Sequence, residues 1–298
     1  TTATANARVV ADVVEQLGVA SEQDVFVLRG PLARASLRLG VLRMPSPAAR
    51  LAWLIDHLGD LPGSGIVYAL TVSAAEDTAR ALREAGHEVV AYTGRTDPER
   101  RAEIEEDLKA NRVKAVVATS ALGMGFDKPD LTFVVHLGAP GSPVAYYQQV
   151  GRAGRGTDHA DVLLLPGPED RRIWEYFATA TIPDPDKMRD LITALDDADE
   201  PQSVVALEAS TRFRRTRIEL MLKQLAVDGA TERTPDGWVS TGTPWTYDAE
   251  HYDGILAVRR READIMRSYI AGRRCLMQLL TESLDDPQAA DCGRCSVC

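Results

Sequence analysis

Apolar residues alternate between short uniform runs and longer helical patterns from about position 35 to 180. The runs at 66–70, 115–118 and 133–137 predict strands, since uniformly apolar runs suit strands covered on both faces. Helices are predicted between them, one beginning where Asp97 precedes Pro98, a residue favoured in a first helical turn. The pattern is βαβ, and it predicts a parallel sheet in an α/β fold. Further strands are predicted at 88–92 and 162–165, and a helix with capping-box spacing from Ser73 to Glu76 is predicted to stop at Gly86.

The flanking segments predict different architecture. Near the N-terminus a helix closed by Gly18 and a strand at 25–28 are too little to bury a core. Two helices (203–210 and 211–227) followed by a hairpin around Pro235 predict a winged-helix outline. A helical hairpin is predicted at 254–281, broken at 271–272, with Cys275 on its second helix, and it precedes the C-terminal tail. The predicted domains are the end of a first domain with its linker at 1–34, the parallel-sheet domain at 35–182, the winged-helix-like domain at 183–248 and a helical four-cysteine module at 249–298.

Composition narrows the class of protein. The 298 residues carry a net charge of −10, which argues against broad electrostatic attraction to nucleic acid. A local basic face is still effective, because it acts over about a Debye length. No apolar run has the length of a membrane span and no signal segment precedes the first helix, so a cytoplasmic protein without a membrane partner is expected. Four arginines crowd the longer winged-helix helix and are the candidate DNA contacts, with solvated side chains as the alternative: Arg212, Arg214, Arg215 and Arg217.

The four cysteines all lie between positions 275 and 298. Their spacing is Cys275-x16-Cys292-x2-Cys295-x2-Cys298. Four thiolates suit tetrahedral zinc, and the lack of a nearby histidine favours a structural over a catalytic site. Free or oxidised cysteines and an iron–sulfur cluster are the alternatives.

Two glycine-rich segments carry candidate chemistry. Residues 146–156 (YYQQVGRAGRG) place Arg152 and Arg155 three apart, each after a glycine. Arginine forks onto phosphate oxygens, so the segment suits an arginine finger acting on a nucleotide bound elsewhere. Residues 117–130 (VATSALGMGFDKPD) follow a predicted strand with small residues that present N–H groups and hydroxyls to phosphate. A surface loop and an ordinary strand-to-helix turn are the alternative interpretations.

One motif is missing. The 298 residues contain no Gly-x4-Gly-Lys-Ser/Thr, hence no loop that cradles the β- and γ-phosphates, and no Asp-Glu-x-His run for magnesium. The chain is therefore expected to be inactive alone as a nucleoside triphosphatase.

Together these segments resemble the second motor domain and C-terminal region of RecQ-family DNA helicases. Residues 117–130 resemble that family's motif V, residues 146–156 its motif VI, Ile66–Tyr68 its motif IV and Thr1–Thr4 its motif III. The cysteine spacing also resembles the family's zinc site. The chain departs from the family in having Tyr92-Thr93-Gly94-Arg95-Thr96 in place of Tyr-His-Ala-Gly-Leu. It also places the winged-helix-like segment before the cysteines, which suggests an RqlH-type clade.

The resemblance implies a RecA-like second motor domain and the C-terminal portion of a longer, monomeric protein. That protein would use ATP and Mg²⁺, bound with a first motor domain, for 3′-to-5′ translocation and unwinding. Arg155 would be the arginine finger, assisted by Arg152 and Gln148. Gly125 would contact the nucleotide, and Asp127 would hold either its ribose or the arginine finger. Thr119 and Ser120 would contact single-stranded DNA, the arginines of the winged-helix-like domain would contact duplex DNA, and zinc would be structural.

Two rival functions follow from the same residues. A non-enzymatic DNA-binding protein would need only the winged-helix-like domain and the zinc module, but it would leave the two glycine-rich motifs without a purpose. An RNA helicase of the same superfamily would use both motifs. The tail favours DNA only by analogy, so unwinding of DNA against RNA duplexes is the discriminating measurement.

Overall fold

A computed structural model of the chain describes residues 7–21, 26–123 and 125–298. The resemblance to motif III at Thr1–Thr4 lies outside these residues. Eight strands are described: β1 (Leu37–Val41), β2 (Ser64–Ala69), β3 (Val89–Tyr92), β4 (Ala115–Ala118), β5 (Leu131–Leu137), β6 (Ala160–Leu165), β7 (Thr231–Thr234) and β8 (Gly237–Ser240). The first six form one sheet in the order β1-β6-β5-β2-β4-β3, and all of its pairings are parallel. The predicted α/β fold is confirmed.

Eleven helices lie within the residues that the structure describes. Within the described residues no helix is both long and apolar enough to cross a bilayer. The helices are α1 (Ala7–Ser21), α2 (Pro47–His57), α3 (Val72–Glu84), α4 (Pro98–Lys109), α5 (Pro143–Val150), α6 (Asp170–Ala180), α7 (Pro185–Asp196), α8 (Val204–Thr211), α9 (Arg215–Val227), α10 (Ala249–Ala271) and α11 (Leu276–Glu282).

The sheet has a core on each face, which explains its uniformly apolar strands. All residues of β2 and β4 are buried. On one face Leu54 of α2 and Leu82 of α3 pack with Val67 and Val117. On the other face the core includes residues of α4, α5, α10 and α11 together with Cys275. The cysteine segment is thus part of the core of the sheet.

Contacts divide the chain into two compact units, residues 1–174 with 259–298 and residues 175–258. The second unit has its own core, where Met188 of α7, Leu207 of α8 and Leu222 of α9 meet. The antiparallel pair of β7 and β8 completes it. The predicted succession of two helices and a hairpin is confirmed, whereas the three boundaries between the four predicted domains remain predictions.

The strand predicted at 25–28, before the sheet, was wrong. Val25 lies outside the described residues, and residues 26–28 form no strand. Phe26 and Leu28 are 87% and 84% exposed, so no neighbouring strand covers them. The edge strand is instead β1, which pairs with β6. Its apolar residues are interrupted by Arg38 and Gly40, which hides the strand pattern.

Several helix ends also differ from the predictions. Helix α1 continues past Gly18 to Ser21. Thr71, not Ser73, caps α3 by accepting a hydrogen bond from the amide of Ala74. Helix α10 begins at Ala249 and ends before Gly272, whose φ of 61° permits the predicted break. Cys275 is the N-cap of α11, not a helical residue, because its Sγ accepts from the Gln278 amide.

Candidate functional site

The Gly–Arg loop, residues 151–156, follows α5 and is fixed by its glycines. The amide of Gly154 donates to the carbonyl of Leu131 at 2.9 Å, and that of Gly156 donates to Pro129 at 2.7 Å. Gly154 has a φ of 68°, and a Cβ there would lie 2.6 Å from Oγ of Ser36. Only glycine fits this position. The loop therefore presents its arginines in a defined direction.

Arg155 is the accessible arginine of the loop. Its Nη1 donates to Oδ1 of Asp127 at 2.6 Å, and its Nε donates to the carbonyl of Gly151 at 3.2 Å. The two side chains of the ion pair are 42% and 58% exposed. Exposed ion pairs are typically worth about 0–1 kcal/mol, so the guanidinium can leave Asp127 for a stronger anion. The structure thus brings together the two residues that sequence reasoning placed at the nucleotide.

Arg152 has a different environment. It is 7% exposed, and its Nη1 donates to the carbonyl of Phe126 at 3.0 Å. It also hydrogen-bonds the hydroxyl of Tyr68 on β2. The side chain therefore ties the Gly–Arg loop to the segment before β5 and to the sheet. Gln148 is half-buried on α5.

The segment after β4 runs from the carboxyl end of β4 back to the amino end of β5. Thr119 is buried at the carboxyl end of β4, and its hydroxyl accepts from the amide of Ala121 at 3.3 Å, while Ser120 is exposed. Gly125 adopts a φ of 104° that suits glycine alone. The Gly–Arg loop and Asp127, however, lie at the amino end of β5, because no helix separates β4 from β5 and α5 runs back along the sheet.

A buried polar chain behind the loop was not predicted from the sequence. His136 of β5 is fully buried, and its Nε2 lies 2.8 Å from Oε1 of Gln149. Its ring contacts Tyr146, whose hydroxyl lies 3.2 Å from that of Tyr269 on α10. The chain thus connects β5, α5 and α10. A histidine within an otherwise apolar strand was the available signal.

Acid is expected to destabilise the sheet through His136. Burial lowers the pKa of His136 to about 4 from an ordinary 6.5. In the unfolded chain His136 binds a proton below pH 6.5, whereas in the folded chain it stays neutral down to about pH 4. Stability from this group is full above pH 6.5 and falls by about 1.4 kcal/mol per pH unit towards pH 4. Urea unfolding of the wild type and His136→Gln across this range measures the difference. Equal pH slopes in the two proteins would contradict it.

The four cysteine sulfurs form a single cluster, all within 4.8 Å of one another. Sulfurs bound to one zinc at about 2.3 Å lie about 3.8 Å apart in a tetrahedron, so the cluster has a suitable size. The sulfurs of Cys295 and Cys298 are 3.5 Å apart. Backbone amides of Leu276 and Cys292 donate to the sulfurs of Cys295 and Cys275. Such donors stabilise thiolates, so the donor set fits a tetrahedral metal ion.

Ionisation is uneven across the cluster. The hydrogen bond with Cys295 raises the pKa of Cys298 to about 12, and burial raises the pKa of Cys292, whereas Cys295 ionises more readily than an ordinary thiol. Burial opposes its ionisation, but the amides of Leu276, Cys298 and Val297 outweigh that cost and lower its pKa to about 6. A thiolate is the form that binds metal. All four cysteines are free thiols in the structure.

The arginines of the second unit have unequal surroundings. Arg212, Arg214 and Arg215 are exposed at the start of α9 and just before it. Arg215 pairs with Glu219 at 3.0 Å on the helix surface. Arg217 is instead engaged within the unit, donating to the carbonyls of Ala180 and Ile182 at 3.1 and 3.2 Å. Three of the four side chains therefore face solvent.

Part of this chain is similar to known proteins. Residues 49–157, from α2 through the Gly–Arg loop, match the model of the helicase conserved C-terminal domain. The chain is 33% identical over 169 residues to the ATP-dependent DNA helicase RecQ of Pasteurella multocida, covering 57% of this chain and 26% of that protein. It is 36% identical over 132 residues to the RecQ helicase of Synechocystis, covering 42% and 27%. The chain thus spans about a quarter of the length of these relatives.

Further similarity extends to an animal protein and a solved structure. The ATP-dependent DNA helicase Q1 of Rattus norvegicus is 35% identical over 169 residues, covering 56% of this chain and 27% of that protein. Among solved structures, the DEAD-box protein SrmB of E. coli bound to regulator of ribonuclease activity A is 25% identical, with a TM-score of 0.43. That match covers 49% of this chain and 87% of that one. The RqlH-type clade stays a prediction.

Proposed function

We propose that this chain, which carries the helicase conserved C-terminal domain of the RecQ family, supplies the arginine finger and DNA-binding surfaces of an ATP-dependent 3′-to-5′ DNA helicase. The observation that carries the proposal is the exposed ion pair between Arg155 and Asp127 inside the matched domain. A guanidinium held by a weak, accessible partner is ready to transfer to a phosphate. The RecQ relatives of Pasteurella multocida and Synechocystis are ATP-dependent DNA helicases, which supports this substrate class.

The nucleotide would lie between this chain and a phosphate-binding motor domain. Arg155 would stabilise charge on the transferred phosphoryl group when the two meet. Asp127 would hold Arg155 until then or accept from the ribose, and the backbone at Gly125 would contact the nucleotide. Arg152 would act by bracing the loop, since its guanidinium is buried against Phe126. Gln148 would assist from α5.

The test compares this chain with a protein that joins it to such a motor domain. The joined protein should hydrolyse ATP when DNA is added and unwind a DNA duplex, and this chain alone should do neither. Substituting an RNA duplex distinguishes the proposal from an RNA helicase. DNA binding without DNA-stimulated hydrolysis in the joined protein would favour the non-enzymatic alternative.

We further propose two DNA contacts, one on each unit. Ser120, which is exposed at the carboxyl end of β4, would contact single-stranded DNA, and the buried Thr119 would support it by fixing the turn through the Ala121 amide. In the second unit, Arg212, Arg214 and Arg215 would contact duplex phosphates, as the start of a recognition helix commonly does. Arg217, whose guanidinium holds two carbonyls, would support the helix from behind.

Replacing Arg214 and Arg215 with alanine together is expected to weaken duplex binding in a salt-dependent way. Each lost phosphate contact should flatten the slope of log affinity against log salt by about one unit. Fluorescence anisotropy with duplexes of two unrelated sequences measures both quantities. Arg189→Ala, which removes an exposed arginine of α7 paired with Asp186, is the matched control and should leave both unchanged. An unchanged slope and affinity in the folded double variant would remove α9 from the interface.

The four cysteines would hold one structural zinc ion, completing the cofactors ATP, Mg²⁺ and Zn²⁺. The size of the cluster and its amide donors support this proposal. The ion would supply a cross-link between Cys275 at the start of α11 and the C-terminal tail. Its binding energy would become folding energy.

A further inference from the structure

The strap, residues 29–36, leads into β1 and lies against the C-terminal module. The amide of Leu32 donates to Oδ2 of Asp286 at 2.9 Å, and Asp286 is itself buried. Arg29 donates to the carbonyls of Leu284 and Asp285 at 3.0 and 3.1 Å. Nη2 of Arg294 donates to the carbonyl of Arg34 at 3.3 Å. These bonds fix the strap over the turn that follows α11.

The same strap holds α5 and the Gly–Arg loop through three alternate residues. The hydroxyl of Tyr147 donates to the carbonyl of Leu32 at 2.7 Å. Nη1 of Arg34 donates to the carbonyl of Gly151 at 2.6 Å, and Oγ of Ser36 donates to that of Gly154 at 2.7 Å. The first of these contacts uses a backbone carbonyl, and the other two use side chains on a turn in which the Leu37 amide donates to the Arg34 carbonyl at 3.3 Å. The strap therefore contacts α5 at Tyr147 and the Gly–Arg loop at Gly151 and Gly154.

Arg34 makes the middle one of these three contacts, and its guanidinium lies close to that of Arg155. Both guanidinium groups donate to the same carbonyl, that of Gly151. Burial and the nearby charge of Arg155 lower the pKa of Arg34. Two like charges share one acceptor, so each raises the energy of the other. Arg155 is thereby directed towards Asp127, the carboxylate that it contacts.

We propose that Arg34 is a positioning residue that sets the direction of Arg155. It fixes the Gly151 carbonyl at the start of the loop and repels the Arg155 guanidinium away from the strap, towards Asp127 and an incoming phosphate. The strap also carries this constraint from the C-terminal module, because Asp286 and Arg294 anchor it on the opposite side. The proposal rests on the proposed function of Arg155, but its structural part is measurable in this chain alone.

Amide hydrogen exchange on the 298-residue chain tests the positioning directly. Arg34→Gln should speed exchange of the Gly154 and Gly156 amides by about tenfold or more, the effect of losing a charged hydrogen bond that restrains them. Arg34→Lys should restore most of the protection, since a single donor suffices for one carbonyl. Arg38→Gln is the matched control, an arginine of β1 that contacts His159, and should leave the loop unchanged. Tyr147→Phe, which removes one of the three contacts while keeping the ring, should also speed exchange. Unaltered exchange in Arg34→Gln and Tyr147→Phe would overturn the proposal.

Kinetics in the protein joined to a phosphate-binding domain separate positioning from contact. A positioning role predicts that Arg34→Gln lowers kcat by about tenfold to a hundredfold with little change in KM for ATP. A raised KM with an intact kcat would show that Arg34 binds the nucleotide itself, and would overturn the proposal. Failure of the proposed function gives a different result, because Arg155→Ala would then keep its turnover while the exchange effect of Arg34→Gln persists.

Discussion

Arg155→Ala is expected to lower ATP turnover by about three to five orders of magnitude in a protein that joins this chain to a phosphate-binding motor domain. The guanidinium is the accessible charge of the Gly–Arg loop, and the transferred phosphoryl group develops charge that it would stabilise. Because this help arises in the transition state, kcat should fall more than KM rises. Steady-state hydrolysis with saturating single-stranded DNA measures both constants.

Two further variants make the result specific. Arg155→Lys keeps the charge but loses the planar fork, so it should recover only a small part of the rate. Arg100→Ala removes an exposed arginine of α4 paired with Glu103 and should have no effect. Affinity for DNA should change little in each variant, since the proposed role of Arg155 is at the nucleotide. Near-wild-type turnover in Arg155→Ala would reject the assignment.

The strands of the sheet interior were predictable because their burial leaves few polar positions. The run 115–118 matches β4 residue for residue, and every residue of β4 is buried. Edge strand β1 was missed, since Arg38 and Gly40 interrupt its apolar residues. The other edge strand, β3, was found because it is uniformly apolar. Local pattern thus finds strands that form an uninterrupted apolar run and misses one whose apolar residues are separated.

The residue types of the candidate site suggest its chemistry, which stays a prediction, whereas its geometry could not be predicted from the sequence. Glycine and arginine at 151–156 indicate a phosphate-facing loop. Nothing local in the sequence indicates that Asp127 lies 2.6 Å from Arg155, because that distance depends on how far the segment before β5 travels. The contact of Arg34 with Gly151 joins residues 117 positions apart. Such pairs are set by the packing of the whole sheet.

The cysteine segment is packed against the sheet and is not a loose C-terminal end. Cys275 and Cys295 are buried in the same core as the sheet strands and α5. The amide of Ser296 donates to the carbonyl of Leu39 on β1 at 2.8 Å. Ligation of the tail would therefore also stabilise the edge of the sheet and the strap that precedes it.

Cys298→Ser is expected to abolish zinc binding and to cost more than about 4 kcal/mol of unfolding free energy. Structural zinc typically contributes about 10–16 kcal/mol of apparent binding energy to small metal domains, and losses this large point to a named mechanism such as loss of a metal. Cys298 is exposed, so its thiol has little packing to lose and the effect would report ligation. Metal analysis should find about one zinc per wild-type chain and none in the variant. Urea denaturation measures the stability.

The neighbouring Val297 provides the control. Val297→Ala shortens a partly exposed apolar side chain in the same tail, so it should change stability by about 0.5 kcal/mol and leave the zinc content at one. A chelator should lower the melting temperature of the wild type and of Val297→Ala, but not that of Cys298→Ser. Iron in place of zinc, or a disulfide among these cysteines in a reduced preparation, would contradict the zinc assignment. Equal stability of Cys298→Ser and the wild type would show that the cluster holds no metal that the fold depends on.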